Sequence, residues 1–211
     1  MLIIYTQRSA FDQYNTPIDQ IERTYLERFE EIFPGACLIG LPNNKEYASR
    51  ILALYEADLY ILTGGNNIDP ASFGSDERLD DLAPERDAVE AIVLQKCMRM
   101  SRPLLGICRG FQFINTALGG SLTLNIENHA GVPHACFLEK ESYQINSYHR
   151  HGISEDDLSN ELSSLIKSED GYLEAYCGKS APVLALQWHP ERKGHNDSLE
   201  RELIQEYLFN D

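Results

Sequence analysis

Apolar positions fall into two kinds of run in the first half of the chain. Short continuous runs suit buried strands: Leu2 to Thr6, Ala36 to Leu41, Asp58 to Thr63 and Pro103 to Ile107. Between them lie stretches with helical periodicity. Asp19 to Phe33 carries Ile21, Tyr25, Phe29 and Ile32 at helical spacing and stops at Pro34-Gly35. Lys45 to Tyr55 reads as a second helix. Pro84 suits the first position of a third helix, running to about Met100. Arg109 to Leu118 is a fourth, closed by Gly119-Gly120. A polar segment without periodicity, Asn66 to Ala83, interrupts the series. Strand and helix alternate here, which predicts a parallel sheet with helices on both faces.

The second half is patterned differently. Ser121 to Ile126, His134 to Lys140, Tyr143 to Ser147, Gly171 to Cys177 and Val183 to Trp188 are short strand candidates separated by turns. A closing helix, Asp197 to Phe209, has Leu199, Leu203, Ile204 and Leu208 as its apolar positions. The whole reads as one α/β domain over residues 1–211 with added antiparallel pieces. No linker or repeat divides it.

Composition narrows the function classes. The chain has 211 residues, 43% hydrophobic and 24% charged, as ordinary globular domains do. Its formal charge of −15 opposes binding to a nucleic-acid backbone or an anionic membrane surface. No run of Lys and Arg offsets that balance. No apolar stretch is long enough to span a bilayer or form a signal-peptide core. Five scattered cysteines, with no C-x-x-C pair, suggest neither a disulfide framework nor a zinc site. A cytoplasmic, reducing compartment is expected. No histidine pair has zinc-ligand spacing, so no metal site is expected either.

One cysteine has a mechanical reason for its place. In Gly106-Ile107-Cys108-Arg109-Gly110 it follows a buried strand and opens a helix. A nucleophile elbow needs small neighbours so that the backbone can turn sharply and present the side chain. Backbone N–H groups at the helix N-terminus would favour a negative sulfur and stabilise an oxyanion. A structural thiol beside a glycine turn is the competing reading, and it is the better one for the other four cysteines. A thiol nucleophile needs a base. Of six histidines, His189 in Gln187-Trp188-His189-Pro190-Glu191 is the best placed. Residues i and i+2 of an extended segment point the same way, so Glu191 would orient the imidazole. A surface turn is the alternative.

These segments resemble class I glutamine amidotransferase domains. Within them they are similar to the γ-glutamyl hydrolase branch of cysteine peptidases (peptidase C26), and especially to γ-glutamyl-γ-aminobutyrate hydrolases. The resemblance rests on Gly64-Gly65-Asn66-Asn67-Ile68-Asp69-Pro70, Glu85-Arg86-Asp87 and Leu105 to Gln112 continuing to Leu118-Gly119-Gly120. Asn146-Ser147-Tyr148-His149 and Gln187 to Glu191 complete it, in family order over nearly the whole chain. It implies a flavodoxin-like three-layer sandwich with a mostly parallel central sheet. It also implies a Cys108–His189–Glu191 triad and acyl transfer through a γ-glutamyl thioester, with no cofactor. The implied oxyanion hole is the backbone of Gly65 and Arg109, and Gln112 lies in the glutamyl pocket. Arg86 and Asp87 are expected to tie their helix to the core rather than touch substrate.

The family's asparagine, serine and first histidine stand in Asn146-Ser147-Tyr148-His149. Arg150 and His151 then replace the residues more frequent in relatives. Asn146, Ser147, Tyr148, His149 and Arg150 are therefore candidate substrate-binding residues. Arg150 and His151, with Arg109 and His149, are expected to form a cationic mouth around Cys108 that holds an anionic leaving group. The expected partner is a small γ-glutamyl conjugate of an amine or of a phosphorylated group, such as a nucleotide amidate of a capsule pathway. A homodimer is possible. Two other classes stay open: a glutaminase subunit passing ammonia to a separate synthetase chain, and a non-catalytic ligand-binding module.

Overall fold

The computed structural model describes residues 1–210. In chain order its elements are β1 (Leu2–Tyr5), β2 (Arg8–Phe11), β3 (Pro17–Gln20), α1 (Arg23–Ile32), β4 (Cys37–Gly40), α2 (Lys45–Leu54) and β5 (Leu59–Leu62). A short 3-10 turn at Pro70–Phe73 precedes α3 (Pro84–Met100), β6 (Leu104–Ile107) and α4 (Arg109–Ala117). Then come β7 (His134–Leu138), β8 (Glu141–Ile145), β9 (Leu162–Ser168), β10 (Leu173–Gly178), β11 (Val183–Leu186) and α5 (Asp197–Leu208).

Nine strands form one sheet in the order β4-β1-β5-β6-β11-β10-β9-β7-β8. The first five run parallel. From β10 onward every pairing is antiparallel. The inner parallel strands β1, β5, β6 and β11 are buried on both faces, which explains their continuous apolar runs. Ile4, Tyr60, Leu62 and Ala185 pack on one face under α2, α3 and α4. Ile3, Leu59, Ile61, Leu184 and Leu186 pack on the other, under α1 and α5. This is the expected flavodoxin-like sandwich.

Several predicted elements need correction. The predicted helix from Asp19 begins only at Arg23, because Pro17–Gln20 pairs with Arg8–Phe11 as a hairpin. The turn between them is built by Asp12, whose Oδ1 accepts from the N–H groups of Tyr14 (2.8 Å) and Thr16 (2.9 Å). Ser121 to Ile126 is not a strand. Only an isolated bridge joins Thr123 to Gly152 there, and Ser121 and Thr123 spend their hydroxyls on the Asp157 carboxylate (2.6 and 2.8 Å). The apolar pattern does not predict β9, whose three serines and one lysine dilute its apolar signal. The predicted strands at Tyr143 to Ser147 and Val183 to Trp188 end earlier, at Ile145 and Leu186.

A buried ion network joins the layers near the carboxyl ends of β5 and β6. Glu90 of α3 accepts from Arg86 Nε and Thr6 Oγ1, both at 2.8 Å, and also pairs with Arg109 of α4. Arg86 donates to the carbonyls of Thr63 (2.6 Å) and Gly64 (2.9 Å). Asp87 also pairs with Arg109. Burial opposes the Glu90 charge, but the two guanidiniums outweigh it and hold the carboxyl below its usual range. Arg86 and Asp87 thus tie the helix to the core, as expected. Glu90→Ala would strand two buried guanidiniums. We expect it to cost about 3–5 kcal/mol in chemical denaturation.

Candidate active site

Three neighbouring parallel strands, β5, β6 and β11, deliver Gly64-Gly65, Cys108 and His189 just beyond their carboxyl ends. This is where open α/β sheets form their crevices. Cys108 has φ 50° and ψ −95°, a left-handed conformation rarely adopted by a residue with a side chain. The flanking glycines make the turn possible. A Cβ on Gly110 would lie 2.2 Å from the Leu62 carbonyl oxygen, and one on Gly106 would lie 2.8 Å from Ile114 Cδ1. Cys108 N–H donates to Leu186 O (2.8 Å), tying the turn to β11. The N–H groups of the first turn of α4, from Arg109 on, have no partner within the helix.

His189 Nδ1 lies 2.6 Å from Glu191 Oε1, as the i, i+2 argument expects. Burial alone would lower the His189 imidazole. Charge and hydrogen bonding from Cys108, then from Glu191, raise it to about 10. Asn146 grips the same residue through its backbone. Its Oδ1 accepts from His189 N–H (2.9 Å) and its Nδ2 donates to His189 O (2.8 Å). The Tyr148 ring meets the imidazole edge to face at 5.7 Å, and Arg192 lies over that ring at 4.9 Å.

A cavity of about 570 Å³ opens beside Cys108, walled by Gly65, Gln112, Tyr148, His149, Arg150 and His151 among others. Gln112 is buried, its amide donating to His151 O and Gln187 Oε1 (both 3.3 Å). Several expected binding residues stand elsewhere. Asn146 and Ser147 are buried behind the wall; Ser147 Oγ donates to the His129 carbonyl. Arg109 offers the site its backbone, but its guanidinium is consumed by Asp87 and Glu90. His149 turns its ring toward His129 and Glu174. The cationic mouth is therefore smaller than expected. Arg150 remains exposed in it, joined by Arg78. Burial first, and then the charges of His149 and Arg150, lower the His151 imidazole.

Sequence reasoning also missed Tyr25. Its hydroxyl accepts from Gly64 N–H (3.0 Å). Burial, then the nearby charges of Glu191 and Cys108, raise its phenol well above the ordinary value. At a helical apolar position it read only as core. The fold also brings together a group that chain spacing does not reveal. His129, His149 and Glu174 meet there from three separate segments. A charged Glu174 inside an apolar strand was the available signal.

The fold is the one found in class I glutamine amidotransferases. The chain belongs to the Peptidase C26 family, whose model matches residues 3–140 and 131–191. It is 35% identical over 133 residues to the gamma-glutamyl-CDP-amidate hydrolase of Campylobacter jejuni, covering 63% of this chain and 62% of that protein. It is 25% identical over 208 residues to the gamma-glutamyl-gamma-aminobutyrate hydrolase of Escherichia coli O157:H7, covering 84% and 81%. A glutamine amidotransferase structure from Thermotoga maritima superposes with a TM-score of 0.63 at 16% identity, covering 98% of this chain and 81% of that one. The family and these relatives support a hydrolase. Among the described residues no helix is long and apolar enough to cross a membrane.

The raised His189 value gives a direct test. The folded value of about 10 lies above the ordinary 6.5. Protonated His189 therefore contributes stability that is complete below about pH 6.5 and is lost as pH rises through about 10. In Cys108→Ser the main raising partner is gone. An NMR titration of the ring should then show its midpoint falling toward the ordinary range. An unchanged midpoint would assign the shift to Glu191 alone.

Proposed function

We propose that this protein is a cysteine-dependent hydrolase that cleaves the γ-glutamyl amide bond of a small conjugate. The observation that carries the reading is the strained turn presenting Cys108 to the cavity beside a buried, carboxylate-oriented His189. His189 already holds the proton drawn from the thiol, and Cys108 Sγ bonds to the γ-carbonyl carbon as a thiolate beside that imidazolium. The resulting oxyanion faces the backbone N–H groups of Arg109 and Gly65. The C–N bond then breaks and His189 returns the proton to the leaving nitrogen. Water, deprotonated by His189, attacks the thioester. The carbon–sulfur bond breaks and glutamate leaves.

Gln112 lies at the glutamyl end of the cavity in this reading. Tyr148, Arg150 and Arg78 line the leaving-group side. Asn146 and Ser147 act by positioning His189 and the His129 segment. Two exposed guanidiniums suit an anionic leaving group, a carboxylate or phosphorylated amidate. The chain acts as one domain on a small molecule, with no nucleic-acid or membrane partner, as a monomer or homodimer. Its five free thiols suit a reducing cytoplasm.

Two measurements test the proposal. Cys108→Ala should lower kcat by about 10⁴-fold or more while the protein stays folded. Mass spectrometry of wild type with substrate should find a glutamyl adduct on Cys108; an adduct on another cysteine would defeat the assignment. In a panel of γ-glutamyl conjugates, Arg150→Ala should raise KM for phosphorylated substrates about tenfold, the loss of one charged hydrogen bond. An unchanged KM would remove Arg150 from binding. Turnover on glutamine alone would instead favour a glutaminase subunit.

A further inference from the structure

Behind the cavity wall, three segments meet around the buried carboxylate of Glu174 in β10. Its Oε1 lies 3.5 Å from His129 Nδ1 and 3.6 Å from His149 Nε2. Those two nitrogens are 3.3 Å apart. The other nitrogen of each ring is already committed. His129 Nε2 lies 3.0 Å from Asp170 Oδ2, and His149 Nδ1 lies 3.0 Å from the His151 carbonyl oxygen. A carboxylate and a carbonyl only accept hydrogen bonds, so the outward nitrogen of each ring carries a proton. The inward nitrogen of each ring is the one left to bind an ion. Two ring nitrogens and a carboxylate oxygen thus face one point, where a metal ion or a shared proton would hold them together.

The spacing suits a metal. Tetrahedral ligands at bond lengths of about 2.0–2.2 Å lie about 3.3–3.6 Å from one another. The three edges of this triangle fall in that range. A carboxylate and a carbonyl behind the two imidazoles are the partners that orient metal-binding histidines. His134 Nε2, 2.9 Å from Glu174 Oε1, holds the carboxylate in place. Glu174 Oε2 is buried with no hydrogen-bond partner among the described residues. A surface hollow lined by His129, His134, Ser168 and Asp170 gives access from solvent.

We propose that His129, His149 and Glu174 form a divalent-metal site of zinc-type chemistry, with an open fourth position for water. The metal would pin the His129 segment and the loop 146–151 to β10. That loop holds His189 through Asn146 and packs on it through Tyr148. The site thus acts on the position of the imidazole from behind and contributes no group to the reaction. It stands or falls independently of the hydrolase reading.

The test is metal binding by the whole protein after stripping with a chelator. Wild type should retain one equivalent of Zn²⁺ through gel filtration and gain thermal stability. With Co²⁺ it should show the visible bands of a tetrahedral nitrogen and oxygen site, without thiolate charge transfer. Cys108→Ser should bind equally well. His129→Gln should lose the metal. Asp170→Asn, on an exposed side chain, should weaken Zn²⁺ affinity about 10–100-fold even if His129→Gln fails to fold. No stoichiometric metal in wild type would overturn the proposal and leave a shared proton as the cation. Unchanged affinity in Asp170→Asn would also overturn it, as would loss of binding in Cys108→Ser with a thiolate band in wild type.

Discussion

The structure depends on a single buried carboxylate. Glu90 sits between Arg86 and Arg109, and each guanidinium reaches a different part of the site. Arg86 holds the carbonyls of Thr63 and Gly64, where β5 gives way to the glycine pair. Arg109 is the residue directly after Cys108. The glycine pair and the Cys108 turn come from different strands, and this network fixes their separation. Such a network in a dry interior tolerates no missing member, since an unpaired buried charge costs several kcal/mol. That makes the arrangement rigid where the backbone of the glycine pair and of the first turn of α4 borders the cavity.

A second clamp works from the opposite side. Asn146 holds both backbone groups of His189, and Ser147 fastens the same loop to the His129 segment. Motif residues that look like ligand contacts here hold the His189 and His129 segments in place. The distinction is one of direction. Their polar atoms are saturated by backbone partners and have little left to offer a substrate. Arg109 illustrates the same point, because its backbone faces the cavity while its charge is spent in the core. The negative net charge of the chain is thus relieved at the cavity by Arg78 and Arg150, which no carboxylate claims as an ion pair among the described residues.

Much of the first half was legible because its periodicities are produced by burial itself. Strands covered on both faces read as unbroken apolar runs, and the helices between them show one apolar stripe. The β2–β3 hairpin was not legible that way. It is largely exposed, and its signal was the turn chemistry of Asp12. The absence of a strand at Ser121 to Ile126 follows from side chains that bond to Asp157 in place of a ladder. At the site, the Cys108 elbow and the His189–Glu191 pair were legible because each is local: two glycines and an i, i+2 spacing suffice. Tyr25 and the Glu174 cluster were not, because their partners arrive from distant segments.

The sequence by itself determined the layered α/β order, the sharp turn at Cys108 and the orientation of His189 by Glu191. Each follows from neighbours within a few residues, where chain geometry leaves little choice. Only the tertiary structure decided which cations stay free, that Asn146 and Ser147 face inward, and that two histidines meet one carboxylate. Those outcomes depend on which polar atoms find partners across the sheet. A buried charge takes the nearest complementary group in space, and sequence separation does not constrain it.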